Sequence, residues 1–325
     1  MASTAIRDTE HWLALRAIHL GASESPSLFG CGFRTKFTLW HLKRGDLPPE
    51  DFSDNVRVIC GQHLEDGIAR ILADIHGWEF GKQIRKTRRY IISDRVPYLG
   101  ASLDYEVRLD GDDWVPLETK LVDYLIFRDE WIKDGALSST RVLTNVEPPP
   151  NYDIQVQHQL AVTGAPHGYI GALVGGHTPY LIRRPRHDGV IAAIEREAMA
   201  FKLSLDENRE PPLVDPDDLD AVKALYASAS PREVADLTGD NELPEMLDAY
   251  LAAKQVTDAA TAARDLLKAQ IQHKLGEATT AFANGFRLSW PAITIPEKMV
   301  PAKVEPERKY RGGLTVTPLK SREAA

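Results

Sequence analysis

Residues 103–109, LDYEVRL, and 115–120, VPLETK, both alternate apolar with polar side chains, and the stretch DGDD separates them. Successive side chains of a strand point to opposite faces, so each run has one face that must be buried. Asp-Gly between two such runs is a hairpin signal. If both apolar faces meet one core, odd-numbered residues pair with odd: Tyr105 with Leu117 and Val107 with Val115. A slip of one residue would turn every apolar side chain outward. This register predicts Asp104 opposite Glu118, with Lys120 on the same face.

Directly opposed carboxylates have Cβ atoms about 5 Å apart. At ~4 Å and an effective dielectric of ~20 their repulsion is about 4 kcal/mol before screening. A divalent cation between them reverses that sign. Mg²⁺ takes one or two carboxylates together with waters and phosphate oxygens. A lysine beside it can orient an attacking water or neutralise charge developing on a phosphate. A bare Glu-x-Lys is far more often a solvated surface pair than a catalytic one; the aspartate in register raises the weight of the metal-site reading and leaves the surface hairpin as the alternative.

Two other elements add candidates. Residues 56–75 read as a helix, with Leu64, Ile68, Ile71, Leu72 and Ile75 at helical spacing and Gly77 as its stop. Glu65 falls at the edge of that stripe, where an unpaired carboxylate is costly. A neighbouring Arg or Lys, or a metal, would relieve it. Residues 152–164, YDIQVQHQLAVTG, read as a second helix with Gln155 and Gln159 four apart on one face. Either can hold a water or a phosphate, although helix amides are usually surface groups.

Along the rest of the chain, 5–20 reads as a helix and GASESPSLFG as a loop or short helix. Strands are expected at 87–92, 102–109 and 113–121, a helix at 123–137, and a loop at 145–153, where Pro148 to Pro150 argue against helix. A hairpin around Gly175-Gly176 and an amphipathic helix over 188–208 follow. The order implies an α/β layered core over 1–208. Residues 209–218, REPPLVDPDD, read as a proline-rich linker. A C-terminal extension over 219–300 carries a long alanine-rich helix (243–275) and a strand, and 301–325 reads as a flexible tail.

Composition narrows the function. No apolar run approaches the ~18 residues of a membrane span, and the N-terminus has no signal-peptide pattern. Two cysteines, Cys31 and Cys60, suit a reduced cytoplasm and are too few for a four-cysteine zinc or iron–sulfur site. The net charge of −8 argues against a protein that coats DNA indiscriminately. It does not exclude a local basic groove. Basic clusters occur at 34–36, 42–44, 82–89 and 183–186, and each fits a solvated surface or part of such a groove.

Five stretches together resemble the YqaJ-like viral recombinases, the lambda-type alkaline exonucleases of the PD-(D/E)xK nuclease superfamily. They are LRAIHLGASE (15–24), GQHLEDGIAR (61–70), GASLDY (100–105), LETK (117–120) and YDIQVQHQLAVTG (152–164), in matching order and spacing over residues 10–185. The resemblance implies a PD-(D/E)xK core, a central mixed β-sheet flanked by helices. It implies Asp104 and Glu118 as metal ligands, helped by the Thr119 backbone carbonyl, and Lys120 as the catalytic lysine. Glu65 would touch a second metal or its waters, and Gln155 would help place the nucleophilic water. Arg16, Ser23 and Ser102 would bind the DNA 5′-phosphate, a task that suits a guanidinium fork and two hydroxyls. The proline of the motif is replaced by Leu103, and residues from about 215 onward fall outside the resemblance.

The implied activity is a 5′→3′ exonuclease on double-stranded DNA ends that leaves 3′ single strands for an annealing protein. It would use Mg²⁺, with Mn²⁺ as substitute and two ions at the site. The resemblance further implies a homotrimer around DNA in the cytoplasm of a bacterial host, of phage or prophage origin. Two rivals remain from the sequence: a nicking or restriction-type endonuclease on the same core, and a non-catalytic DNA-end-binding scaffold.

Overall fold

The computed structural model describes residues 2–109, 113–132, 142–143, 146–228 and 234–293. The chain divides into two compact units, Met1–Leu225 and Tyr226–Ala325.

The first unit holds two sheets. The larger has six strands in the order β3 (Ile84–Lys86), β6 (Tyr105–Val107), β7 (Val115–Val122), β9 (His167–Val174), β10 (Thr178–Pro185), β8 (Val142–Leu143). It is mixed: β7 runs parallel to β9, and β10 to β8, while the other neighbours are antiparallel. The smaller sheet orders β1 (Ala2–Ala5), β4 (Arg89–Ile92), β5 (Leu99–Ser102) and β2 (Leu20–Gly21). The expected architecture, a mixed sheet flanked by helices, is the one observed.

The hairpin register is as the alternation requires: Tyr105 faces Leu117 and Val107 faces Val115. Of the turn between these strands, 110–112 lie outside the described residues. The alternation hides one thing. Strand β7 is central and covered on both faces, so Pro116, Glu118 and Thr119 are buried along with Val115 and Leu117. Strand β3 was not expected; it pairs along β6, with Lys86 opposite Tyr105. Gly175 and Gly176, at φ 59° and 78°, turn β9 into β10 as expected.

Helix α1 (Thr9–Ile18) is shorter at both ends than the sequence suggests: Ala5 pairs with β4 at the end of β1, and Leu20 pairs with β5 in β2. Asp8 caps it by accepting the His11 N–H. Helix α3 (Val56–His76) buries Ile68, Ala69, Leu72 and Ala73 against the larger sheet, a stripe in line with Glu65. Leu64 and Ile71, expected on the buried side, are exposed, because the stripe is centred one residue away from them. Helix α2 (Lys36–Arg44) was also unexpected.

Helix α5 (Pro150–Thr163) begins at Pro150, where the sequence argued against helix. Proline fits the first turn, since that N–H needs no helical partner. It stops at Gly164, φ 72°, as expected. Val156 and Leu160 join the core of the larger sheet, and Val162 joins a second core around Leu20, Trp40, Leu99 and Phe201. With a core on each side, α5 buries even its polar positions, including Gln155, Gln157, His158 and Gln159. His158 Nε2 lies 3.1 Å from the Gly100 carbonyl, so it carries the proton, and Nδ1 accepts from the Ser25 hydroxyl at 2.6 Å. Burial holds this imidazole neutral, its pKa lowered to about 4.

Helix expected at 123–137 resolves into α4 (Tyr124–Ile126) and a π-turn over Phe127–Trp131; residues 133–137 lie outside the described ones. Helix α6 (Asp188–Asp206) covers the second core through Ile191, Ile194, Ala198 and Phe201. Helix α7 (Asp218–Leu225) places Ala221 against Phe37 of α2 and Leu47.

In the second unit, α8 (Leu243–Leu275) buries none of its 33 residues. Strands β11 (Thr280–Ala283) and β12 (Phe286–Ser289) form a hairpin through Asn284-Gly285, with Gly285 at φ 78°. The tail over 301–325 lies outside the described residues. Among the described residues no helix is long and apolar enough to cross a membrane.

Candidate active site

The site is built where β6, β7, α3 and α5 meet. Glu118 and Lys120 alternate along β7, so they share a face, and the Lys120 ammonium lies 2.6 Å from Glu118 Oε1. Helix α5 presents Gln155 and Gln159 to the same carboxylate. Their amide nitrogens donate to Glu118 Oε1 and Oε2, each at 2.6 Å. Lys120 also donates to Gln155 Oε1 at 3.1 Å. Glu118 is thus a buried carboxylate with three side-chain donors. The expectation that these glutamines lie on the surface is wrong, because α5 packs on both sides.

Asp104 sits one residue beyond the end of β6, at the position that extends the register to Glu118. Its Oδ2 accepts from both the backbone N–H and the hydroxyl of Thr119, at 3.0 Å each. Burial raises its pKa to about 8, and the charges of Glu118 and Glu65 push the same way against Lys120. Glu65 is raised too, first by burial and then by Glu118, with Lys86 and Lys120 opposing. These mutual effects place Glu65, Asp104, Glu118 and Lys120 in one electrostatic neighbourhood. Lys120 responds oppositely: burial disfavours its charge, but Glu118 and Asp104 outweigh burial and hold it above the ordinary lysine value. It is therefore a firm cation rather than a ready base.

Among the described residues no group of three or more His, Cys, Asp or Glu side chains is arranged to hold a metal ion. The reason is visible in the bonding. Both Glu118 oxygens are engaged by Lys120 and the two glutamines, and Thr119 engages Asp104 Oδ2. The donor set is nonetheless of the kind that hard divalent cations take, carboxylates with a nearby carbonyl. Asp104 carries the cost such a cation would remove: a carboxyl crowded by two others.

Arg16, Ser23 and Ser102 also come together. Arg16 Nη2 lies 3.4 Å from Ser23 Oγ. Trp12, which the sequence did not single out, links the rest: its indole N–H donates to Ser102 Oγ at 3.1 Å, and the Arg16 guanidinium stacks 4.7 Å from its ring centre. Ser102 is two residues from Asp104, so this pocket adjoins the carboxylates through the chain itself.

Glu24 and Lys43 lie beneath Arg16 and were likewise missed. Lys43 Nζ donates to Glu24 Oε2 at 2.8 Å and to the backbone carbonyls of Arg16 and His19. Burial works to raise the Glu24 pKa, but Lys43 and Arg16 overcome it and keep the carboxyl below its ordinary value. Two cations against one anion leave the pocket positive. The only sequence signal for Glu24 was its place at the end of LRAIHLGASE.

The profile of the YqaJ-like viral recombinase domain matches residues 11–166. These residues belong to that family. The YqaJ-like region contains every candidate named above, from Trp12 to Gln159. None of the curated proteins matches the chain. Among solved structures, the chain is similar to an alkaline exonuclease, LHK-Exo, from Laribacter hongkongensis, at 22% identity and a TM-score of 0.45, over 62% of this chain and 94% of that one. LHK-Exo in complex with dAMP gives 23% and 0.47 over the same shares. A phage related exonuclease from Haemophilus somnus 129PT gives 13% and 0.33, over 62% and 83%.

Proposed function

We propose that this chain is a Mg²⁺-dependent 5′→3′ exonuclease acting on double-stranded DNA ends, with Mn²⁺ able to substitute and two ions bound. Membership of residues 11–166 in the YqaJ-like family supports the coarse part, a nuclease that acts on DNA. The observation that carries the finer reading is the convergence of Asp104, Glu118, Lys120 and Glu65 beside a positive pocket lined by Arg16, Ser23 and Ser102.

Asp104, Glu118 and the Thr119 carbonyl would hold one ion, and Glu65 a second or its waters. Bound there, Mg²⁺ supplies Lewis acidity and lowers the pKa of a coordinated water. The protein's own groups do the rest. Arg16, Ser23 and Ser102 grip the terminal phosphate and fix which phosphodiester reaches the carboxylates. Gln155, already within reach of both Glu118 and Lys120, orients the attacking water. The water oxygen bonds to phosphorus, the bridging P–O3′ bond breaks, and a 5′-mononucleotide leaves. Lys120, held as an ammonium, neutralises charge on the phosphoryl oxygens.

The test is digestion of a 5′-phosphorylated linear duplex in Mg²⁺. Lys120→Ala is expected to be about 10²–10³-fold slower, the usual cost of one preorganised donor; digestion at the wild-type rate would refute the assignment. Covalently closed circular DNA should survive the wild-type enzyme, whereas a restriction-type or nicking endonuclease would cut it. A scaffold would show no carboxylate-dependent uptake of Mg²⁺ or Mn²⁺. A homotrimer and a single-strand annealing partner complete the proposal on the family resemblance, with solution mass as the check on the first.

A further inference from the structure

The four basic clusters of the sequence have different fates. In three of them the cations are largely spent inside the protein. Arg34 faces Glu50, Lys36 faces Glu197, Lys43 faces Glu24, Arg44 faces Asp46, Arg184 faces Asp153 and Arg186 faces Asp188. The fourth, KQIRKTRR over 82–89, has five cations and no acid in eight residues. It forms edge strand β3 and passes through Thr87 and Arg88 into β4. Arg108 joins it across β6, donating to the Lys82 carbonyl at 3.2 Å. Among the described residues three carboxylates, Asp66, Glu79 and Glu106, pair with these six cations, and Arg85 and Arg89 share Glu106. Arg88 and Arg89 are exposed.

The strip is held in place. Glu106 is buried and accepts from Arg85 Nε and Nη2 at 2.7 and 2.6 Å. The guanidinium groups of Arg85 and Arg108 lie 4.0 and 5.0 Å from the Trp114 ring centre. Stacking fixes the guanidinium planes; Arg85 spends Nε and Nη2 on Glu106 and Arg108 one Nη2 on the Lys82 carbonyl, and their remaining N–H groups can donate outward. The strip also starts at the candidate site. Lys86 pairs with Tyr105, next to Asp104, and its charge acts on Glu65. Residues 84–89, five steps at about 3.3 Å each, span roughly 16 Å, the axial rise of about five base pairs.

We propose that the β3–β4 segment, Lys82 to Arg89 with Arg108, is a phosphate-backbone track that binds the DNA duplex flanking the cleaved end without regard to sequence. The inference rests on the DNA-nuclease reading and adds to it a binding surface outside the carboxylate site and the 5′-phosphate pocket. Nucleic acid is favoured over an acidic protein segment because the strip is continuous with the site where DNA would be cut.

The experiment measures binding of a labelled 30-base-pair duplex to the full chain in EDTA, where no hydrolysis occurs, over a range of KCl. Arg88→Gln/Arg89→Gln removes two exposed cations, and Lys82→Gln/Arg88→Gln serves as a second pair should the first perturb folding, checked by thermal melting. Each lost phosphate contact lowers the slope of log K against log salt by about 0.9. The double variant should therefore show a slope shallower by about 2 and binding weakened about 50-fold at 0.1 M salt. An unchanged slope and affinity in folded variants would overturn the track while leaving the nuclease reading intact. The expected slope change in a chain that degrades no DNA with any divalent ion would keep the track and sink the nuclease reading. Variants that lose an oligo-glutamate peptide but keep the duplex would also overturn the proposal, making the strip a protein-docking face.

Discussion

Replacing Asp104 by Asn tests the electrostatics of the site without removing its hydrogen bonds, since the Asn carbonyl still accepts from Thr119. The native Asp104 carboxyl has a pKa of about 8 against an ordinary 3.8. The folded protein therefore holds a proton that the unfolded chain gives up near pH 4. The stability this proton contributes is complete below the unfolded value and is lost as pH rises through about 8. Between pH 6 and pH 9 the loss covers about two units at 1.36 kcal/mol each, roughly 3 kcal/mol. Water reaching the half-buried carboxyl reduces this to about 1–2 kcal/mol. For a unit of this size that is about 2–8 °C in Tm.

Thermal unfolding in EDTA should show wild type losing this much more than Asp104→Asn between pH 6 and pH 9. The variant should be the more stable protein at pH 9 and inactive at both. It should also lose the stabilisation that Mg²⁺ gives wild type, because the ion binds only the folded carboxylate site. Parallel pH dependences, or an Asn variant that is less stable at pH 9, would refute the claim that burial and the neighbouring carboxylates hold the Asp104 carboxyl protonated.

Trp12→Phe keeps a ring under Arg16 but removes the donor to Ser102; one lost hydrogen bond of about 0.5–1.5 kcal/mol predicts a two- to tenfold fall in the preference for 5′-phosphorylated over 5′-hydroxyl ends, read from paired digestion rates. Gly171→Ala puts a Cβ 2.5 Å from Leu72 Cδ1 and 3.3 Å from Leu117 Cδ1. Overpacking there should cost about 1–3 kcal/mol, read as a lower Tm, and because Leu72 lies two turns from Glu65 on α3, a fall in activity beyond the loss of folded protein is expected.

The sequence alone determined the hairpin register and, with it, the meeting of Asp104, Glu118 and Lys120. Period-two alternation with one obligatory buried face pairs odd residues with odd, and the short DGDD turn selects among those registers, which puts the polar residues on one face. The same logic located the Gly175-Gly176 turn and the helices that stop at Gly77 and Gly164. It failed on α5, where Gln155 and Gln159 looked like surface amides: that the helix is walled by two cores is a fact about distant segments. The Trp12–Ser102 bond spans 90 positions, and Lys43 reaches Glu24 from a helix the pattern did not reveal. Nor could charge counting show that, among the described residues, the 82–89 cluster with Arg108 meets three carboxylates for six cations, while the cations of the other clusters are nearly matched one to one. Local periodicity fixes which way a side chain faces within its own element; what it faces depends on which elements fold together, and that is set only when the whole chain excludes water.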